Sequence, residues 1–342
     1  MTKSRRTTLA ALLIGLASTA APAQPVDHDA LREDVLLVLE RQFGGFRAAT
    51  AALSAASERY CAGDAPRAEY EAAFRDAWLA WAPLDSYQFG PIEQSGAALT
   101  LNFWPDKKNF VGRALRELLA QPEAAQRDPA TVAAGSAAGQ GLPAIEMLLF
   151  TDAPECPAVI GISGNLSALA GGLYEDWFGE MGWAEIARQA GPDNPVYLSA
   201  EEFTKTVYTA LDFGLTRIAD ARLGRPLGSY ERSFPTRAEA WRSGLTNQII
   251  AAQLGGIADM VRDGFAGAVP ADEIDELLEV MGQTRERLAA IGVPVAEAVE
   301  DPMTRIRVEG LQTQVHYLQT KLAQDIGPAL GVETGFSAAD GD

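Results

Sequence analysis

Apolar positions recur every three to four residues along most of the chain, the period of helices with one buried face. Leu31, Val35, Leu36, Val38, Leu39, Phe43 and Phe46 share one such face, and the run continues through Leu53 to about Tyr60. Gly44-Gly45 offers this helix a place to bend. Tyr70, Phe74, Ala77, Trp78 and Trp81 mark a second helix over 68–81. Pro83 is expected to stop it, because proline has no N–H and crowds the preceding turn. Pro105-Asp106 opens a short helix through Leu119, with Asp106 read as its cap. Asp128-Pro129 starts another, with Asp as N-cap and Pro in the first turn. That helix is expected to run to Phe150 and to break or kink at Pro143, which would free a carbonyl one turn earlier. Residues 158–190 read as helix with an interruption near Gly171-Gly172. Ser199 to Glu202 has the order of a capping box and opens a helix to about Leu223. Further helices are predicted over 238–265, 271–291 and 301–326. Little of the chain alternates with period two, so the expected fold class is all-α.

Two irregular stretches divide this pattern. Gly191 to Pro195, GPDNP, is the clearest loop. It sets the expected boundary between an N-terminal helical bundle, 24–195, and a C-terminal one, 196–342. Similar helix counts on either side allow two bundles. Residues 225–235 form the second irregular stretch.

The first 23 residues belong to neither half. Lys3, Arg5 and Arg6 precede an apolar run from Leu9 to Ala17, and Ala21-Pro22-Ala23 has the small-x-small form that signal peptidase accepts. This order is that of a secretory leader cut after Ala23. Export to the periplasm or cell envelope is therefore expected, with no later apolar stretch long enough for a membrane span. The net charge is -18, and loss of the three basic leader residues lowers it to -21. So acidic a chain is not expected to bind nucleic acid or anionic lipid, since both need basic patches. The only two cysteines, Cys61 and Cys156, each lie just beyond an apolar periodic segment. In an oxidising compartment they are expected to pair; two buried, independent thiols are the alternative.

Three segments carry a resemblance. Ala77 to Glu93, AWLAWAPLDSYQFGPIE, is a Trp-rich helix followed by a Phe-Gly-Pro turn. Gly141 to Glu146, GLPAIE, precedes the apolar run Met147 to Phe150. The C-terminus runs from Leu330-Gly331-Val332 through Gly335-Phe336 to Asp340-Gly341-Asp342. Together with Arg237 to Ser243, these resemble the imelysin-like family, in its periplasmic or lipoprotein-like subgroup. The resemblance implies two domains of four-helix-bundle type, an envelope location and a link to iron-regulated uptake or homeostasis. The family takes its name from a proposed metallopeptidase, and a Gly-x-His-x-x-Glu signature was read as its metal or catalytic pair. Here Pro143 stands at the His position, and only Glu146 carries over. A zinc hydrolase needs about three protein ligands and an activating base. The chain has two histidines, His28 and His316, and no HExxH. His28 is expected to be disordered or exposed, and His316 to lie on a helix surface or at the edge of the core.

Glu146, among apolar residues on a helix expected to be buried, is the most notable carboxylate, because a buried charge is costly unless paired or ligating. It is the candidate metal ligand, for iron or another divalent or trivalent ion. Glu93 and Asp85 are candidates to face the same cleft, and carboxylates suit ferric iron as hard ligands. Arg237 and Arg242, flanking Trp241, are candidates to clamp an anion or to pair with Glu146. Trp78, Trp81, Phe103 and Trp104 read as core, with one or two walling a pocket. Lys107-Lys108 reads as a solvated pair. The expected function is an envelope binding protein for a metal ion or a small polar ligand, with its site between two bundles near Glu146. A metallopeptidase-like hydrolase and a ligand-free scaffold contacting envelope proteins are the alternatives.

Overall fold

A computed structural model describes residues 26–151 and 156–332. The expected leader and the Asp340-Gly341-Asp342 tail lie outside these residues. The described residues hold helices and turns but no strand, so the all-α expectation stands.

Helix α1 (His28–Ala62) is 35 residues long and runs unbroken through Gly44-Gly45. Phe43 and Phe46, on either side of that pair, are buried against Trp177 and Trp81 and hold the axis. Helix α2 (Arg67–Leu84) takes Pro83 into its last turn rather than ending before it. Then come α3 (Phe110–Leu119), α4 (Leu142–Leu149) and α5 (Cys156–Phe178). The second half holds α6 (Ala200–Thr216), α7 (Thr246–Asp259), α8 (Ala271–Ala289) and α9 (Pro302–Lys321). Wider, π-type turns prolong α6, α7 and α9, and the first of these, Arg217–Leu223, carries two arginines that matter below.

Helix α1 packs against both α2 and α5, and α2 also packs against α7 from beyond residue 195. Gly256 makes that last approach possible, since a Cβ there would run into the Pro83 ring. The GPDNP stretch is irregular as expected, yet the buried apolar residues form one cluster that continues across it.

Several helix ends differ from the expectation. Asp106 acts as a cap, but at a distance: its carboxylate accepts from Phe110 N (2.8 Å) and Val111 N (2.9 Å), so α3 opens at Phe110 rather than Pro105. Residues 129–149 are not one helix but a short α-helix at Pro129–Ala133, a 3-10 helix at Ala137–Gly139, and α4. Pro143 therefore lies in the first turn of α4, where its missing N–H has no helical partner to lose. It kinks nothing and frees no carbonyl. Helix α5 passes through Gly171-Gly172 without interruption. Helix α7 starts at Thr246 and not at Ala238, because left-handed backbone at Ala240 (φ 51°) and Gly244 (φ 69°) turns the chain first. Ser199 does cap α6 by accepting from Glu202 N, while the Glu202 carboxylate accepts from Leu198 N.

One stretch, Cys156–Arg188, is long and apolar enough by composition to cross a membrane, contrary to the expectation of none. More than half of its most apolar window, 56 %, is buried against the rest of the chain. Its apolarity serves the core. Cys61, at the end of α1, and Cys156, at the start of α5, form a disulfide with their Cα atoms 5.5 Å apart. Closing a loop of about a hundred residues is worth about 4–5 kcal/mol by loop-closure entropy.

Candidate functional site

The site starts at a glycine. Gly141 precedes α4, and a Cβ there would collide with the Thr100 and Leu101 carbonyl oxygens. This close approach seats α4 so that Leu142, Ile145, Glu146 and Leu149 are buried together. Glu146 is only 3 % exposed. Its Oε1 accepts two hydrogen bonds from Ser243, one from the peptide N–H (2.9 Å) and one from the hydroxyl (2.7 Å). Its Oε2 faces Arg242 Nη1 at 3.9 Å, beyond hydrogen-bond length. Burial pushes the Glu146 carboxyl above its ordinary value; the Ser243 bonds and the Arg242 charge oppose that without cancelling it. The turns around Ala240 and Gly244 present Ser243 and Arg242 to α4.

Glu146 lies at the edge of a cleft of about 860 Å³. One wall comes from residues 103–111, the other from residues 236–242 with Arg225. Four cations line it: Lys107, Arg225, Arg237 and Arg242. Asp106 and Glu146 are the carboxylates in the lining, and Asp106 is committed to capping α3. Among the described residues, Lys107, Arg225 and Arg237 have no carboxylate within 4 Å, whereas Arg242 has Glu146. The guanidinium of Arg237 stacks on Phe234 at 3.7 Å, that of Arg242 on Trp241 at 4.5 Å, and that of Arg225 lies 5.8 Å from the Trp104 ring. The stacking orders these charges without neutralising them.

Behind the walls lies a second group of charges. Asp85, Arg222 and Glu239 are 1 %, 0 % and 0 % exposed. Arg222 pairs with Asp85 (Nη2–Oδ2, 2.7 Å) and with Glu239, and it also donates to Gln253. Arg217 donates to Asp85, and its guanidinium lies 5.5 Å from the Trp104 ring of the cleft wall. Asn102 donates to Glu239, and Gln253 Nε2 to Ser86 Oγ at 3.0 Å. Burial works against both charged forms, but the pairing wins: Glu239 is held below the ordinary carboxylate range and Arg222 above its own. Glu239 stands between Ala238 and Ala240 of one wall, and Asn102 beside Phe103 of the other. Both walls are thus pinned to one buried cluster.

The predicted site residues separate on this frame. Glu146, Arg237 and Arg242 line the cleft, and Arg242 is the cation nearest Glu146, as the pairing alternative has it. Asp85 does not reach the cleft, because its place after the last turn of α2 puts it between Arg217 and Arg222. Glu93 does not reach it either. It is exposed on the short helix Pro91–Ser95 and borders a separate depression with Trp183, Tyr197 and Lys205. Among the described residues, no three of His, Cys, Asp or Glu gather as a metal site. His28 is not merely exposed, since it opens α1 and its Nδ1 lies 3.1 Å from Thr204 Oγ1. His316 is half exposed, with Nε2 3.5 Å from Asp220. Trp78, Phe103 and Trp104 wall the cleft, while Trp81 belongs to the core; Lys107 is a lining residue and not simply solvated.

Arg225, Thr236 and Ser243 were not singled out in the sequence. Arg225 sits in a stretch marked only as irregular. The cluster residues Arg217 and Arg222 carry no local signal, and Glu239 lies in the 237–243 segment of the resemblance without a role to mark it.

A helical scaffold whose connecting segments wall a polar cleft around one buried carboxylate is the class of protein these features define. The sequence matches the imelysin family model over residues 41–322, and the chain belongs to the imelysin family. Its fold is that of an imelysin-like protein from Psychrobacter arcticum 273-4, with TM-score 0.72, 17 % identity and coverage of 92 % of this chain and 100 % of that one. A second similar structure, from Parabacteroides distasonis ATCC 8503, is provisionally named an iron-regulated protein A precursor. It gives TM-score 0.68, 13 % identity and coverage of 89 % and 97 %. No curated protein matches the sequence.

Proposed function

We propose that this chain is an exported envelope protein that binds a small anionic ligand in the Glu146 cleft, in a process linked to iron homeostasis. The leader-like N-terminus supports export, and a disulfide suits an oxidising compartment. The link to iron rests on family membership and on the name of the P. distasonis protein. The observation that carries the ligand class is the charge of the cleft. Four cations line the cleft against two carboxylates, Asp106 bound to the start of α3 and Glu146 bound to Ser243, in a chain of net charge -18. A cleft lined mainly by cations focuses a positive field and attracts anions, even in an acidic chain. Hydrolysis fits less well, because Pro143 supplies no imidazole beside Glu146.

Direct metal binding by Glu146 is the competing reading, favoured by a buried carboxylate at the cleft edge. Thermal melting of the purified protein with phosphate, citrate or putrescine separates the two, together with metal analysis of wild type and Glu146→Ala. The proposal expects citrate and phosphate to raise Tm, putrescine to have no effect, and the double variant Arg237→Ala/Arg242→Ala to lose the response. A flat response to anions, with bound metal that disappears in Glu146→Ala, replaces it with the metal reading.

A further inference from the structure

The cleft holds a finer selection than charge alone. Both Ser243 donors converge on Oε1 of Glu146, so that oxygen is occupied. No hydrogen bond of ordinary length reaches Oε2 from the described residues, although the residue is only 3 % exposed. Oε2 is not one of the sealed, unpartnered side-chain atoms, so it opens onto the cleft, where water or a ligand can donate to it. The nearest charge to it is Arg242 Nη1 at 3.9 Å. An open acceptor and a guanidinium donor thus stand side by side at the cleft edge.

We infer that the cleft recognises carboxylates bearing a hydroxyl or ammonium group on the adjacent carbon, with the carboxylate on Arg242 and the neighbouring donor on Glu146 Oε2. In α-hydroxy and α-amino acids the two groups lie within one hydrogen-bond length of each other. The 3.9 Å between Oε2 and Nη1 lets each protein atom hold one member of such a pair. A simple carboxylate satisfies Arg242 and leaves Oε2 bare. The cleft, about 860 Å³, is much larger than this head group. Trp104 and Trp241 wall the rest, and Arg225 and Arg237 suit further anionic groups on the same molecule. The class is therefore a polyanionic α-hydroxy or α-amino acid. This inference rests on the cleft being an anion site, as proposed above.

The test is calorimetric titration of the full chain with matched pairs. Citrate, bearing an α-hydroxyl, is compared with tricarballylate, which lacks it; glutamate is compared with glutarate. The donor-bearing member of at least one pair is expected to bind about tenfold more tightly or better, because the analogue displaces water from Oε2 and leaves that charged acceptor unpaired. Whichever pair discriminates tells hydroxyl from ammonium. Glu146→Gln is expected to shrink the ratio to about twofold while tricarballylate affinity stays near that of wild type. If that variant fails to fold, Ser243→Ala serves in its place. It frees Oε1 of one bond, lets the carboxylate turn, and is expected to lower the ratio as well. Equal affinity within both pairs overturns this inference and leaves the anion site standing. Absence of binding to all four compounds overturns both.

Discussion

The cluster around Arg222 and the cleft around Glu146 share the segment 236–243 and use the same side chains, carboxylate and guanidinium. The cluster is closed: Arg222 meets two carboxylates and an amide, Asp85 meets two arginines, and Asp85, Arg222 and Glu239 are sealed from solvent. The cleft is open: three of its four cations have no carboxylate within 4 Å among the described residues, and Glu146 uses one oxygen fully and the other hardly at all. Charges that serve the fold are matched and sealed, and charges left in surplus beside water are available to something else. The surplus is at the cleft.

Breaking the closed group should cost most. Arg222→Ala leaves Asp85 and Glu239 buried without their shared cation, and a loss of about 3–5 kcal/mol is expected in urea unfolding. A loss under about 1 kcal/mol would mean that water enters the cluster and that it is not sealed. Arg217→Ala removes the bridge between cluster and cleft wall. It should cost about 1–3 kcal/mol, since Arg222 still neutralises Asp85. The variant should also shift Trp104 fluorescence; unchanged emission would show that the guanidinium does not act on that ring. Arg237→Ala, on the open side, should change stability by less than about 1 kcal/mol, the worth of its stacking on Phe234. A larger loss would place Arg237 with the structural charges.

The smallest effect is a slope. Because burial raises the Glu146 carboxyl, the folded chain holds that proton more tightly than the unfolded one. The resulting stability is present at low pH and is lost as pH climbs from the ordinary value of 4.5 through the raised folded value. Glu146→Gln has no such loss. The Tm difference, variant minus wild type, should therefore grow with pH above about 4.5 and then level off. A difference that instead grows toward acid would mean that the Ser243 and Arg242 contacts outweigh burial.

The same division explains what could be read in advance. Helix faces come from local periodicity, so Leu31 to Phe46 and Tyr70 to Trp81 were legible as buried stripes. Glu146 was legible because a lone carboxylate among apolar residues is locally odd. Cys61 and Cys156 were legible because only one pairing exists. The closed cluster was not, because Asp85 and Glu239 lie 154 positions apart and each looks ordinary beside its neighbours. Asp85 and Glu93 were drawn toward Glu146 by a shared motif, but the turn at Phe89-Gly90-Pro91 sends them to different faces. Pro143 misled in the opposite way. Proline inside an apparent helix signals a break, whereas here the helix had not yet begun.

The Cys61–Cys156 bridge has a consequence for how the cleft is held in the chain. Trp78, Trp104, Lys107 and Glu146 lie between the two cysteines, whereas Arg225, Arg237, Trp241 and Arg242 lie beyond them. One wall is thus a covalent ring and the other an open strand of chain laid against it. A single protease nick inside the ring leaves its pieces covalently tied for as long as the disulfide stays closed.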